Sequence, residues 1–115
     1  MQEISLTPHV RGDSWQGFAE IAVTLNGDPL DLSGASARMQ IRRSKGSPTV
    51  LLEWSTGDDT ISFTEPSEGK FAIAGRVIDL PPGEVVFDIE LTLASGRVLT
   101  VAGGSWLIVG DVTRN

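Results

Sequence analysis

The chain has 115 residues and no cysteine, with 40% hydrophobic residues, 21% charged residues and a formal net charge of −6. This length and composition are typical of one globular domain with one core, and the lack of cysteine excludes disulfides and thiolate metal sites. Lysines and arginines are scarce, and nucleic-acid binding needs them to displace counterions from phosphates, so we expect no nucleic-acid partner.

The N-terminal part of the chain predicts two strands. Residues 4–10 are β-type but contain Pro8, which suits an edge strand or a bulge. Residues 17–25 predict a second strand, whose apolar face is formed by Ala19, Ile21, Val23 and Leu25. Asn26 and Gly27 then predict a tight turn, because glycine adopts a positive φ without penalty.

The middle of the chain contains the clearest two-faced strand, at residues 35–42. Its apolar positions are Ala35, Ala37, Met39 and Ile41, and they alternate with Ser36, Arg38, Gln40 and Arg42. Further short strands are predicted at residues 49–55, around residues 61–63 and around residues 71–73, each preceded by a turn rich in Gly, Pro, Asp or Ser.

A hairpin is predicted near the C-terminus, since period-two alternation marks a strand with one buried and one solvated face. The apolar positions of its first strand are Val85, Phe87, Ile89, Leu91 and Leu93, with Asp88, Glu90 and Thr92 opposite. Residues 94–96 form the turn, residues 98–101 begin the second strand, and residues 106–109 form the last run. We predict an all-β fold over residues 1–115: a single antiparallel β-sandwich, Ig-like, of about eight strands.

Catalytic signals are weak, and we predict a protein that is not an enzyme and needs no cofactor or metal. The single histidine, His9, lies beside a proline, and a triad or zinc site needs more such groups. Asp88 and Glu90 lie about 7 Å apart on one strand face, a spacing that resembles a glycosidase pair. Alternating charges are also what the solvated face of a strand carries, which we favour over a small hydrolase.

Two short motifs have ordinary interpretations. Residues 11–13 spell Arg-Gly-Asp, the tripeptide read by integrins, but the segment predicts a turn. Residues 102–105 are glycine-rich without a following helix, so they form no phosphate-binding loop.

The three tryptophans raise the alternative of a carbohydrate-binding or cell-surface adhesion module, because indole rings stack on sugars. Trp54 and Trp106 lie in apolar β runs and are predicted to be in the core. Trp15 lies in a polar loop, and we expect it at a partner surface. An exposed aromatic platform would favour the sugar-binding alternative.

The order of motifs along nearly the whole chain resembles one family. The motifs are a Gly-Asp-Ser turn at residues 12–14, Asn-Gly-Asp-Pro-Leu-Asp-Leu-Ser-Gly at 26–34, Met-Gln-Ile-Arg at 39–42, Pro-Gly at 82–83, Phe-Asp-Ile at 87–89, Ser-Gly-Arg at 95–97 and Gly-Ser-Trp-Leu-Ile-Val-Gly-Asp-Val-Thr-Arg at 104–114. This order is similar to that in the N-terminal domain of upper baseplate proteins of tailed phages. The family domain commonly continues into a fibre or receptor-binding region, whereas this sequence ends at Asn115. We therefore expect a free-standing module here.

The resemblance implies a non-enzymatic structural component of a tailed-phage virion, attaching or bridging subunits in the tail or baseplate. A head or neck decoration protein is the alternative location. Such a protein assembles in the host cytoplasm into the virion, with other virion proteins and copies of itself as partners. The sequence lacks a signal peptide and any apolar run of roughly 20 residues, so we expect no membrane partner. The candidate interface residues are Trp15, Arg38, Arg42, Asp88 and Glu90.

Overall fold

The computed structural model describes residues 2–112, and these form an all-β fold with a single 3-10 turn at Pro66–Glu68. Seven of its thirteen strands have four or more residues, and six have two. The strands are β1 Gln2–Glu3, β2 His9–Val10, β3 Ser14–Trp15, β4 Phe18–Ala22, β5 Thr24–Leu25, β6 Asp28–Pro29, β7 Ser36–Arg42, β8 Leu52–Ser55, β9 Ile61–Glu65, β10 Lys70–Ile73, β11 Arg76–Val77, β12 Gly83–Thr92 and β13 Val98–Val109. The all-β prediction is confirmed.

The largest sheet is built on the C-terminal hairpin. Its strands lie in the order β1-β13-β12-β7-β8, and β2 pairs with β13 beside β1. The hairpin strands β12 and β13 are antiparallel, as are β7 with β12 and β8 with β7. Both N-terminal strands run parallel to β13, so this sheet is mixed and not purely antiparallel as predicted. Strand pairing of this kind joins segments about a hundred residues apart, which no local pattern reveals.

The remaining strands form smaller sheets. Strands β4, β10 and β9 make an antiparallel sheet in that order, while β11 pairs with β3 and β5 pairs with β6. The β5–β6 hairpin turns at Asn26 and Gly27, both with positive φ (54° and 86°), as the Asn-Gly pair predicts. No helix in residues 2–112 is long and apolar enough to span a membrane.

One hydrophobic cluster draws on both the large sheet and the three-stranded sheet. Alternation supplies its residues from β7 and β12, where every second side chain points inward. Its most deeply buried large side chains are Trp54, Trp106, Phe71, Leu32, Met39, Ile41, Ile78, Ile89, Leu91, Ile108 and Val85. The core positions predicted for Trp54 and Trp106 are therefore confirmed.

Two predicted strands differ from the observed ones. Of the predicted strand at 4–10 only β2, His9–Val10, is observed, and residues 4–8 are irregular between it and β1. Pro8 lacks an amide hydrogen for the ladder. In the predicted strand at 17–25, Ala19 and Leu25 are exposed, and the half-buried residues are Phe18, Ile21 and Val23. A register shift where β4 pairs with β10 changes which side chains point inward.

The N-terminal segment crosses β13 at a glycine. The Ile4 amide donates to the Gly103 carbonyl at 2.9 Å, and a Cβ on Gly104 would lie 2.3 Å from the Ile4 carbonyl oxygen. Only glycine permits this close approach of two backbones. The glycine-rich run at 102–105 therefore has a packing role in the sheet.

Candidate functional site

The outward face of the large sheet brings together four of the five candidate interface residues. Strand β7 presents Arg38 and Arg42 on this face, and strand β12 presents Asp88 and Glu90. The register places Glu90 opposite Arg38, and Asp88 opposite Gln40. The basic pair Arg38 and Arg42 and the acidic pair Asp88 and Glu90 thus lie on adjacent strands of one sheet.

These side chains line a groove of about 650 Å³ on the sheet face. Lys45 lies at its border beyond β7, and Glu3 of β1 closes the opposite side. Gly103 lies between them in the lining and has no side chain, so the face is hollow there. The groove therefore has a basic side on β7 and an acidic side on β12 and β1.

An ion pair between Arg38 and Glu90 separates this groove from a second hollow. The Arg38 Nη2 and Glu90 Oε1 atoms lie 3.1 Å apart, and the side chains are 53% and 30% exposed. Both residues also line the second hollow, of about 420 Å³, whose other walls carry the hydroxyls of Ser36, Ser55, Thr56 and Thr92. The Arg38–Glu90 pair therefore forms part of the wall of both hollows.

Arg42 is held in place by contacts on its own side of the groove. Its Nη1 donates to the Ser47 carbonyl at 2.7 Å, and its Nη2 donates to Gln40 Oε1 at 3.0 Å. Gln40 in turn donates through Nε2 to Glu53 Oε2 at 2.9 Å, away from Asp88. Among residues 2–112 the Asp88 carboxylate has no hydrogen bond or ion pair, although it lines the groove. A carboxylate left free in this way is available to a ligand or partner.

Trp15, the fifth candidate, lies away from this face. It is half-buried in an aromatic cluster, with its ring centroid 5.7 Å from that of Trp54, 5.2 Å from that of Trp106 and 5.2 Å from that of Phe18. Trp15 does not lie in a loop, because together with Ser14 it forms the short strand β3, which pairs with β11. The tryptophans therefore contact one another and do not form an exposed platform.

The remaining chemical candidates have structural partners. His9 Nε2 lies 2.9 Å from the Asp13 carbonyl oxygen, and the His9 ring packs 5.3 Å from that of Trp106. Arg11, from the Arg-Gly-Asp tripeptide, pairs with Asp79 at 3.0 Å. Residues 2–112 contain no group of three or more His, Cys, Asp or Glu side chains placed to hold a metal ion.

Two exposed carboxyl groups outside the groove have perturbed acidities. Hydrogen bonds from the hydroxyl and backbone amide of Thr60 lower the pKa of Asp58 below its ordinary value of 3.8. Hydrogen bonds from Ser33, chiefly from its backbone amide, lower the pKa of Asp31. Both are aspartates that accept from a residue two positions later, which is the usual arrangement of an Asx turn. They stabilise turns and do not contribute to the groove.

The sequence did not indicate that Glu3 and Gly103 are among the residues that line the groove. Glu3 reaches the groove only because β1 runs parallel to β13, with Glu3 in register with Gly103. The glycine-rich run was the available signal, because glycine in a strand often marks the close approach of another backbone. The identity of the approaching segment lay in tertiary structure alone.

No protein-family model, curated protein or solved structure matches this chain. Its functional assignment therefore depends on the geometry of the groove and on the order of the sequence motifs.

Proposed function

We propose that this chain is a non-enzymatic structural component of a tailed-phage virion, a tail or baseplate module that attaches or bridges other subunits. The observation that carries the proposal is the convergence of Arg38, Arg42, Asp88 and Glu90 on one sheet face. The motif order favours a β-sandwich, Ig-like in size. The convergence of charges makes its outer face the attachment surface for other virion proteins and further copies of the chain.

The charges of the groove suit protein recognition. Its lining carries three cations, Arg38, Arg42 and Lys45, and three anions, Glu3, Asp88 and Glu90, on a chain whose net charge is −6. A locally balanced face reduces the repulsion between acidic subunits, and its separated signs fix the register of a partner.

Sheet edges offer a second kind of contact. Strands β4 and β9 are the edges of the three-stranded sheet, and edge strands present unpaired backbone groups to other chains. The edge strand β8 is partly covered by Arg76. The Arg76 Nη1 donates to the Glu53 carbonyl at 2.9 Å, and the Arg76 guanidinium carbon lies 4.8 Å from the centroid of the Trp54 ring. Attachment through β4 or β9 is therefore more accessible than through β8.

The proposal is tested by locating the protein on particles. Tailed phages from the strain that encodes the chain are banded in a density gradient and labelled with gold-conjugated antibody raised against the purified protein. Label on the tail tip supports the tail or baseplate assignment, and label on the head or neck identifies a decoration protein instead. Protein confined to the particle-free fractions would contradict a virion role.

Carbohydrate binding at a cell surface is the second candidate, and one observation favours it. The groove joins carboxylates, the Gln40 amide and two guanidinium groups on a polar surface, and such groups hydrogen-bond to sugar hydroxyls. The absence of an exposed tryptophan platform argues the other way. A glycan array probed with the protein and with Asp88→Ala decides: binding lost in the variant supports this candidate, and no binding removes it.

A further inference from the structure

One cation lies exposed at a hairpin turn, and its side chain has no partner within residues 2–112. Six of the eight lysine and arginine side chains within residues 2–112 contact carboxylates, amides or carbonyl oxygens of the chain. The other two are Lys45, which borders the groove, and Arg97, which lies exposed in the turn between β12 and β13. Arg97 is thus the one described cation that is both unpaired and outside the groove.

The hairpin that carries Arg97 has a short turn closed by backbone hydrogen bonds. Its turn consists of Ala94, Ser95 and Gly96, all exposed. The Leu93 amide donates to the Arg97 carbonyl at 2.8 Å, and the Gly96 amide donates to the Leu93 carbonyl at 2.8 Å. A preformed tip loses little conformational freedom on docking, so more of the contact energy remains for binding.

The acidic side of the groove is matched to such a tip. Asp88 and Glu3 stand on either side of Gly103 in one row across three strands, so their Cα atoms are about 10 Å apart. Neither carboxylate has a hydrogen bond or ion pair among residues 2–112. Gly103 adds no side chain between them, which leaves room for a planar guanidinium whose donors fit carboxylate oxygens.

We propose that the groove receives the β12–β13 hairpin of a second copy of this chain, with Arg97 seated between Asp88 and Glu3. This inference rests on the proposed function, since it names one partner of that attachment surface. The groove is concave, and two grooves placed face to face would enclose a solvent-filled space. A protruding tip fills the hollow. The contact joins different surfaces on the two copies, so it is heterologous and builds rings or open chains.

The test is a charge exchange measured by sedimentation and light scattering over a range of concentrations. We expect the wild-type protein to self-associate, with an affinity that falls as salt is added. Arg97→Glu and Asp88→Arg should each weaken association about ten-fold or more, because each places like charges together. Combining the two substitutions, or mixing the two single variants, should restore association at least in part.

Glu68→Arg is the matched control. Glu68 is exposed and lies outside the groove, so this substitution makes the same change in net charge as Asp88→Arg and should leave association unchanged. Circular dichroism establishes that each variant is folded, and Asp88→Asn replaces Asp88→Arg if the latter is not.

Three results would overturn the inference: a wild-type monomer at every concentration, an unchanged association constant for Arg97→Glu, or charge exchange without recovery. A groove that binds the basic segment of a different protein would give the first of these. The particle-labelling experiment is independent of all three. A monomer found on particles contradicts the hairpin contact alone, whereas an associating protein absent from particles contradicts the virion role.

Discussion

The indole N–H of Trp106 donates to the backbone carbonyl of Thr7 at 2.9 Å, which ties the last strand to the N-terminal segment. Trp106 is 2% exposed, and its ring also contacts those of His9 and Trp15. The bond supplies a partner to a carbonyl in the irregular stretch between β1 and β2, where ladder bonds are interrupted. It therefore compensates locally for the break in strand pairing at Pro8.

Trp106→Phe should lower the free energy of unfolding by about 2–3 kcal/mol, because it leaves the Thr7 carbonyl without its donor and removes buried ring volume. Urea denaturation followed by circular dichroism measures the change. Trp15→Phe is the control, because the Trp15 indole is half-buried and donates to no group in residues 2–112. This substitution should lower the free energy of unfolding by only about 1 kcal/mol. Equal losses in both variants would show that the Thr7 bond adds nothing.

Gly104→Ala should destabilise the protein by about 2–3 kcal/mol, because the added Cβ would collide with the Ile4 carbonyl. Amide exchange of Ile4, whose N–H donates to Gly103, should accelerate as the N-terminal segment separates from β13. Gly46→Ala is the matched control, since no atom lies within 4 Å of its added Cβ and its φ is not positive. Its effect should be within about 0.5 kcal/mol. Unchanged Ile4 exchange in Gly104→Ala would contradict the close approach.

The alternation of apolar and polar residues was sufficient to predict which side chains of a strand are buried when one face of the strand packs on the core. In β7 the predicted inward residues Ala37, Met39 and Ile41 are all buried, at 5%, 0% and 0% exposure. Such a pattern needs only that side chains alternate and that one face be apolar. The local pattern did not reveal the aromatic cluster around Trp15, because its burial depends on the rings of Trp54 and Trp106, which come from distant strands.

The groove was predicted only in part, for the same reason. Sequence marked Arg38 and Glu90 as outward-facing, but their pairing depends on the register of two strands separated by more than forty residues. Glu3 joined the groove through parallel pairing that its own two-residue strand could not signal. The final residues of the closing motif, Thr113 and Arg114, lie outside the described residues.

The Arg38–Glu90 pair should contribute little to the free energy of unfolding, so the charged residues of the groove can be mutated without unfolding the protein. Both side chains are partly exposed, so water screens their attraction, and we expect a coupling of about 0.2–1 kcal/mol. A double-mutant cycle with Arg38→Ala, Glu90→Ala and the combined variant measures it by urea denaturation. The coupling should fall further when the cycle is repeated at high salt. A coupling above about 2 kcal/mol would instead indicate that the pair stabilises the fold, so that mutating either residue would also lower the free energy of unfolding.

Asp58 should make the turn at residues 56–60 sensitive to acid. The Thr60 hydroxyl and backbone amide bind the charged carboxylate, so the pKa of Asp58 in the folded protein is below its ordinary value of 3.8. Because folding lowers this pKa, the stabilisation is fully present above about pH 4 and is lost as the pH falls through the folded-state pKa. Carboxyl-carbon NMR should give Asp58 a titration midpoint below 3.8, with Asp58→Asn identifying the resonance. A midpoint at or above 3.8 would show that the Thr60 hydrogen bonds do not form in solution.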